Sequence, residues 1–322
     1  MYIEQAYKGL HEWWRYLVGG IAVFIAIVIG QIPFTFVVLF TAFDSGEIKK
    51  LDEKTMMSAL EPNLNLFLLL LSFAVGLFGL LLTVRYLHKQ SFTAFTTARK
   101  KIDWSRFWFT FIVWGVLSTG LVMLDYFMSP ENYVLNFKLV PFLILCLIAI
   151  IMVPLQASFE EYFFRGYLMQ GIGVIAKNRW VPLVITSVFF GMLHIANPEV
   201  EKLGYIIMVY YIGTGLFLGI MTLMDDGIEL ALGFHAANNL FTALLVTADW
   251  TAFQTYSVFK DISEPESMGL QEIFVPVFVI FPLLLFVLSK KYGWVNWKDK
   301  LLGNVIEPNQ EIKTIGNSGA DL

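Results

Sequence analysis

Eight stretches of 17 to 28 residues in this chain contain no Asp, Glu, Lys or Arg: 16–43, 62–84, 107–124, 139–159, 180–198, 203–224, 230–248 and 273–289. A bilayer core about 30 Å thick is crossed by a helix of roughly 20 apolar residues, each adding about 1.5 Å. Membrane β-strands run only about 9–11 residues and alternate polar with apolar side chains. These stretches do not alternate: Leu68-Leu69-Leu70-Leu71 and Ile148-Ala149-Ile150-Ile151 are continuously apolar. The expected fold class is therefore all-α, a polytopic membrane helix bundle of about eight transmembrane helices. Composition agrees, because 15% of residues are charged against about 25% in soluble domains. That excludes a soluble enzyme and a disordered chain. A net charge of −4 leaves no basic excess for nucleic acid.

The first apolar run is too long for the h-region of a cleaved signal peptide, so it is expected to stay in the membrane. Lys and Arg set the orientation. With eight spans, 16 of the 22 Lys and Arg residues fall on the side of the two termini, which predicts cytoplasmic N- and C-termini. Cys146 is the only cysteine, so no intrachain disulfide and no CxxC site is available. No internal repeat of fixed period is present. Four regions are expected: a scaffold of about three helices over 1–138, working helices over 139–248, an outer loop and last span over 249–302, and an unpacked, disordered tail over 303–322.

Ionisable groups are costly in hydrocarbon and usually face the protein interior or a water-filled cavity. The first three apolar runs contain none, whereas Glu160-Glu161-Tyr162-Phe163-Phe164-Arg165 follows directly from the fourth. At about 100° per residue, Glu161 and Arg165 share one helix face and suit an ion pair. Glu160 is turned from Arg165 by about 140° and is left to act as a general base. His194 lies within the run 180–198, and His235 precedes Asn239 by four residues on one face of the run 230–248. Each feature has a plainer reading alone: an interfacial helix end, a packing histidine, or an interhelical hydrogen bond worth about 0.6–2 kcal/mol. Three such intrusions in three apolar segments within 80 residues argue for one site.

Glu160-Glu161-x-x-x-Arg165, Phe190-x-x-x-His194 and His235-x-x-x-Asn239, in that order and each on a hydrophobic helix, resemble the type II CAAX prenyl endopeptidase family and its bacterial CPBP or Abi relatives. The match covers about 150–245. The resemblance implies an intramembrane endopeptidase acting on a membrane-associated, possibly lipid-modified, peptide or protein. It implies Glu160 as general base, acting with His194 on a water, and His235 with Asn239 as the oxyanion hole. Glu161, Arg165 and Phe190 would be supporting residues. No cofactor is expected. A zinc ion on Glu160, His194 and His235 is the less favoured variant, and no HExxH motif occurs. Alternatives from other classes are a transporter using the buried His and Glu as a proton relay, and a non-catalytic binding protein of the bacteriocin-immunity type.

Depth poses one problem. Read literally, the apolar runs put Glu160 at the cytoplasmic edge and His194 about 21 Å beyond Trp180 in the opposite direction. The two can meet if the Glu-bearing helix continues past Arg165 inside the protein. Tyr162 to Met169 are therefore expected to be helical, with Arg165 buried.

Overall fold

The computed structural model describes residues 1–44, 60–264 and 269–308. Its main helices are α1 (Trp13–Asp44), α2 (Pro62–Leu87), α3 (Trp104–Met128), α4 (Leu139–Ala176), α5 (Trp180–Met192), α6 (Met208–Asp225), α7 (Glu229–Leu245) and α8 (Leu270–Tyr292). Side chains at the boundaries explain several of the starts. Glu61 accepts the backbone N–H of Leu64 before α2, and Asp103 accepts that of Ser105 before α3. Both satisfy donors that have no partner within the helix. Pro33 and Pro154 sit inside α1 and α4, as membrane helices tolerate where neighbours re-satisfy the backbone.

Among the described residues, six helices are long and apolar enough to cross a membrane: α1 to α4, α6 with its preceding turn, and α8. The expected count of about eight is not confirmed. The runs 180–198 and 230–248 fold as helices of 13 and 17 residues. The first stops at Met192, where turns and Pro198 follow. It spans only about 20 Å. The second, α7, is apolar because it is central. It packs on α3, α4 and α6, and its side chains enter three apolar clusters through Leu230 and Phe234, Leu232, and Leu240. Small residues permit this: a Cβ on Gly233 would collide with the backbone of Phe107. Close approach of this kind holds membrane helices together where lipid removes the usual hydrophobic driving force.

The outer helices show the complementary pattern. Phe24, Phe36, Val116 and Leu147 are each at least 65% exposed, as a lipid-facing surface requires. At one end, a three-stranded sheet links two loops. The strands are β1 (Tyr133–Leu135), β2 (Val246–Thr247) and β3 (Phe259–Asp261), in the order β1-β3-β2. β1 pairs antiparallel to β3 with Tyr133 opposite Asp261, and β2 runs parallel to it. This sheet was not foreseen, because strands of two or three residues carry no periodicity to read.

At the other end of the bundle an ion network ties 97–106 to the α6–α7 turn. Arg99 bonds Asp225 and Glu229, Arg106 bonds Asp225 and Asp103, and the Trp294 indole donates to Asp225. The network fixes the start of α7 and hence the depth of His235. Residues 303–305, within the stretch expected to be unpacked, instead dock. Gly303 O accepts from Arg179 N, Val305 N donates to Lys177 O, and Val305 is buried. Residues 309–322 lie outside the described residues.

Candidate active site

Helix α4 carries the first element of the site and continues past Arg165, as the depth argument requires. Its π-helical turn covers Tyr162–Leu168, after which the helix resumes to Ala176. Such π turns often mark functional positions. Glu160 lies 16 residues before Ala176, roughly 24 Å of helix, and His194 lies 14 residues after Trp180, roughly 21 Å. Both rise from the same turn at Lys177–Arg179, so the long α4 brings them to similar depths.

The five motif residues on α4 and α7 form one network. Arg165 is fully buried. Its Nη1 donates to Glu161 Oε1 at 3.0 Å, and its Nη2 donates to the Gly215 carbonyl of α6 at 3.0 Å. Gly215 is required there, since a Cβ would strike the backbone of Ser187 on α5. The Phe190 ring lies 4.5 Å from the guanidinium carbon and gives it a cation–π partner. Glu161 Oε1 also receives His235 Nδ1 at 2.7 Å. A carboxylate oxygen held by Arg165 only accepts, so Nδ1 carries a proton and Nε2 is the nitrogen that faces outward. That Nε2 lies 3.5 Å from Glu160 Oε2.

Glu160 is thus separated from Arg165, as the 140° offset predicts, and its environment is different. Its Oε1 accepts from Gln156 Nε2 at 2.5 Å. Its Oε2 is buried and has no hydrogen-bond partner. Asn239 joins the same group, because its Nδ2 donates to Gln156 Oε1 at 3.0 Å. Glu160, His235 and Asn239 therefore converge, with Gln156 as an intermediary that sequence reasoning missed. A signal was present: Gln156 is an amide within the otherwise apolar run 139–159, one helical turn before Glu160.

His194 stands apart from this group. It lies in the turn after α5 and is half-buried, which corrects the expectation that it sits deep within an apolar helix. The helix ends at Met192, so an i,i+4 pattern that looked continuous breaks one residue before the histidine. Its Nδ1 donates to the Phe190 carbonyl at 2.9 Å, and its ring stacks on Tyr211 with centroids 4.4 Å apart. Among the described residues no hydrogen bond or ion pair joins His194 to Glu160, His235 or Asn239. The Phe190 ring approaches both imidazoles, 5.0 Å from the His194 ring and 6.0 Å from the His235 ring. Beyond His194, the Glu199 carboxylate accepts the Ala252 N–H at 2.8 Å. Burial holds Glu199 above the usual carboxylate range, against the lowering effect of that N–H.

The zinc variant fits this arrangement poorly. Among the described residues no three His, Cys, Asp or Glu side chains are grouped to hold a metal ion. Glu160 and His235 approach each other, but His194 does not reach them, and three protein ligands are the usual catalytic minimum for zinc.

The model of the family described as type II CAAX prenyl endopeptidase Rce1-like matches residues 138–241. That segment runs from the start of α4 to α7 and contains every motif residue above. The uncharacterized protein YyaK of Bacillus subtilis (strain 168) is 32% identical over 242 residues, covering 74% of this chain and 80% of that protein. No solved structure matches. A stack of apolar helices enclosing this polar network, in a chain so related, is an integral membrane protein, and it belongs to the Rce1-like family of CAAX-type intramembrane proteases.

Proposed function

We propose that this protein is a metal-free, glutamate-dependent intramembrane endopeptidase, with Glu160 as its general base and both termini in the cytoplasm. The observation that carries the reading is the buried, unpartnered Oε2 of Glu160 facing His235 Nε2 at 3.5 Å. A buried carboxylate oxygen without a donor is costly, and such groups persist where they serve a reaction.

In the proposed reaction Glu160 Oε2 takes a proton from a water whose oxygen attacks the scissile carbonyl carbon. The carbonyl π electrons move to oxygen, and the resulting oxyanion receives hydrogen bonds from Asn239 Nδ2 and, in the doubly protonated form of His235, from Nε2. Collapse of the intermediate breaks the C–N bond, and the proton on Glu160 passes to the departing amine. His194 has Nδ1 committed to Phe190 O, which leaves the Nε2 lone pair to hold the water. Arg165 and Phe190 keep Glu161 in place, and Glu161 keeps the His235 ring in one orientation. The substrate class is a membrane-associated peptide or protein, hydrophobic or lipid-modified, reached within the bilayer.

Purified protein in detergent should cleave a hydrophobic or lipid-modified peptide, and Glu160→Ala should abolish cleavage while leaving the thermal unfolding profile in place. Undiminished turnover in Glu160→Ala would remove Glu160 as the base.

A further inference from the structure

Four hydrogen bonds run in one direction from α3 to α4. Trp114 Nε1 donates to Asn238 Oδ1 at 3.0 Å, and Asn238 Nδ2 donates to Asn239 Oδ1 at 3.1 Å. Asn239 Nδ2 then donates to Gln156 Oε1 at 3.0 Å, and Gln156 Nε2 donates to Glu160 Oε1 at 2.5 Å. Both ends fix the polarity. An indole N–H can only donate, so Asn238 must turn its oxygen to Trp114 and its nitrogen onward. The carboxylate at the far end accepts, so Gln156 must turn its nitrogen to Glu160. Each amide between them has one allowed orientation. Trp114 and Gln156 are buried, and in a low-dielectric interior successive bonds of one polarity strengthen one another.

We propose that Trp114, Asn238 and Gln156 are positioning residues for peptide hydrolysis. With Asn239 they form a one-way hydrogen-bond chain that decides where the reaction's proton goes. Oε1 of Glu160 already receives an N–H, so a proton taken from water must settle on Oε2, the oxygen that faces His235. The same chain fills Asn239 Oδ1 and one of its two Nδ2 hydrogens. The single hydrogen left over points a donor, rather than an acceptor, at a developing oxyanion. A flipped Asn239 would present oxygen there and repel the charge. This inference rests on Glu160 and Asn239 having the roles proposed above, and it adds three residues outside the family's recognised motifs. Trp114 lies on α3, outside the segment 138–241 that matches the family, so the chain assigns a catalytic contribution to the N-terminal scaffold.

The test is steady-state kinetics of Trp114→Phe, Gln156→Met and the double variant on the cleaved peptide, with folding followed by thermal unfolding. Gln156→Met should lower kcat about 10- to 100-fold, the range expected for losing a hydrogen bond to a charged group. Trp114→Phe keeps the ring and should lower kcat about 3- to 10-fold. KM should stay within about twofold in both, since the chain touches no distant part of the substrate. In the double variant the loss should be close to that of Gln156→Met alone, because a chain already cut has little more to lose. A Trp114→Phe enzyme with wild-type kcat, or losses that multiply in the double variant, would overturn the chain. A second readout needs no turnover. The indole N–H resonance that vanishes in Trp114→Phe should move in Glu160→Gln, four bonds away; a resonance that stays put also overturns it. If Glu160→Ala is inactive while Trp114→Phe is unaffected, only this inference fails. If Glu160→Ala is active, the function proposed above fails with it.

Discussion

Replacing Arg165 with methionine tests the architecture beneath the site. Arg165 and Glu161 are both fully buried and 3.0 Å apart, and Glu161 Oε2 already lacks a partner. Methionine fills much of the same volume, so the packing loss is small and the electrostatic loss dominates. Glu161 would keep only His235 as a donor, and the Gly215 carbonyl would lose its N–H. Breaking a buried ion pair from one side costs about 3–5 kcal/mol, because it leaves an uncompensated charge. That is a large part of the roughly 5–15 kcal/mol that holds a typical fold. At this chain length the melting temperature should fall by roughly 5–10 °C. The assay is thermal unfolding in detergent for Arg165→Met, Glu161→Leu and the double variant. The double variant should recover most of the stability, because exchanging a whole buried pair for apolar groups is often nearly neutral. It should remain inactive, since His235 Nδ1 has lost the acceptor that orients its ring. A neutral Arg165→Met, or a double variant as unstable as the sum of its parts, would refute the view that the pair is a coupled buried unit.

Four further outcomes are expected. His194→Ala and His235→Ala should each reduce turnover, the latter by about 100- to 1,000-fold as for loss of an oxyanion donor. His88→Ala should instead lower stability and spare the kcat of folded protein, because His88 is buried between Leu10 O and Tyr167, away from the reacting groups. Full turnover after exhaustive chelation, with no zinc by elemental analysis, is expected; loss of activity restored by zinc would overturn the metal-free reading. Burial raises Glu199 in the folded state, so the folded chain holds a proton that the unfolded chain releases above about pH 4.3. Its stability contribution is complete below that value and declines as pH rises through the folded value. Glu199→Gln should remove that decline in pH-dependent thermal unfolding, and an unchanged profile would show that Glu199 does not titrate as its burial implies.

Much of the site was legible because helical geometry is local. Spacing alone paired Glu161 with Arg165, turned Glu160 away, and put His235 and Asn239 on one face. Charge-free length identified the membrane class, and depth arithmetic demanded that α4 continue beyond Arg165. Hydropathy alone did not separate α7 from the longer spans, because a run buried by protein and a run buried by lipid have the same composition. It also carried the run 180–198 past Met192, where the helix actually stops.

Other features needed long-range contacts. Trp114 and Asn238 meet across α3 and α7, 124 positions apart. Nothing local announces that a tryptophan in an apolar helix will donate into an amide chain ending at a carboxylate. The sequence by itself determined the solvent this chain folds in, its helical class and the chemistry of its motif residues, because those follow from residue type and a fixed 100° step. Only the tertiary structure decided which oxygen of Glu160 is free, which way each amide points, and that His194 stands one ring away from His235. Those outcomes depend on partners brought from distant helices, and a hydrogen bond is directional where hydrophobicity is not.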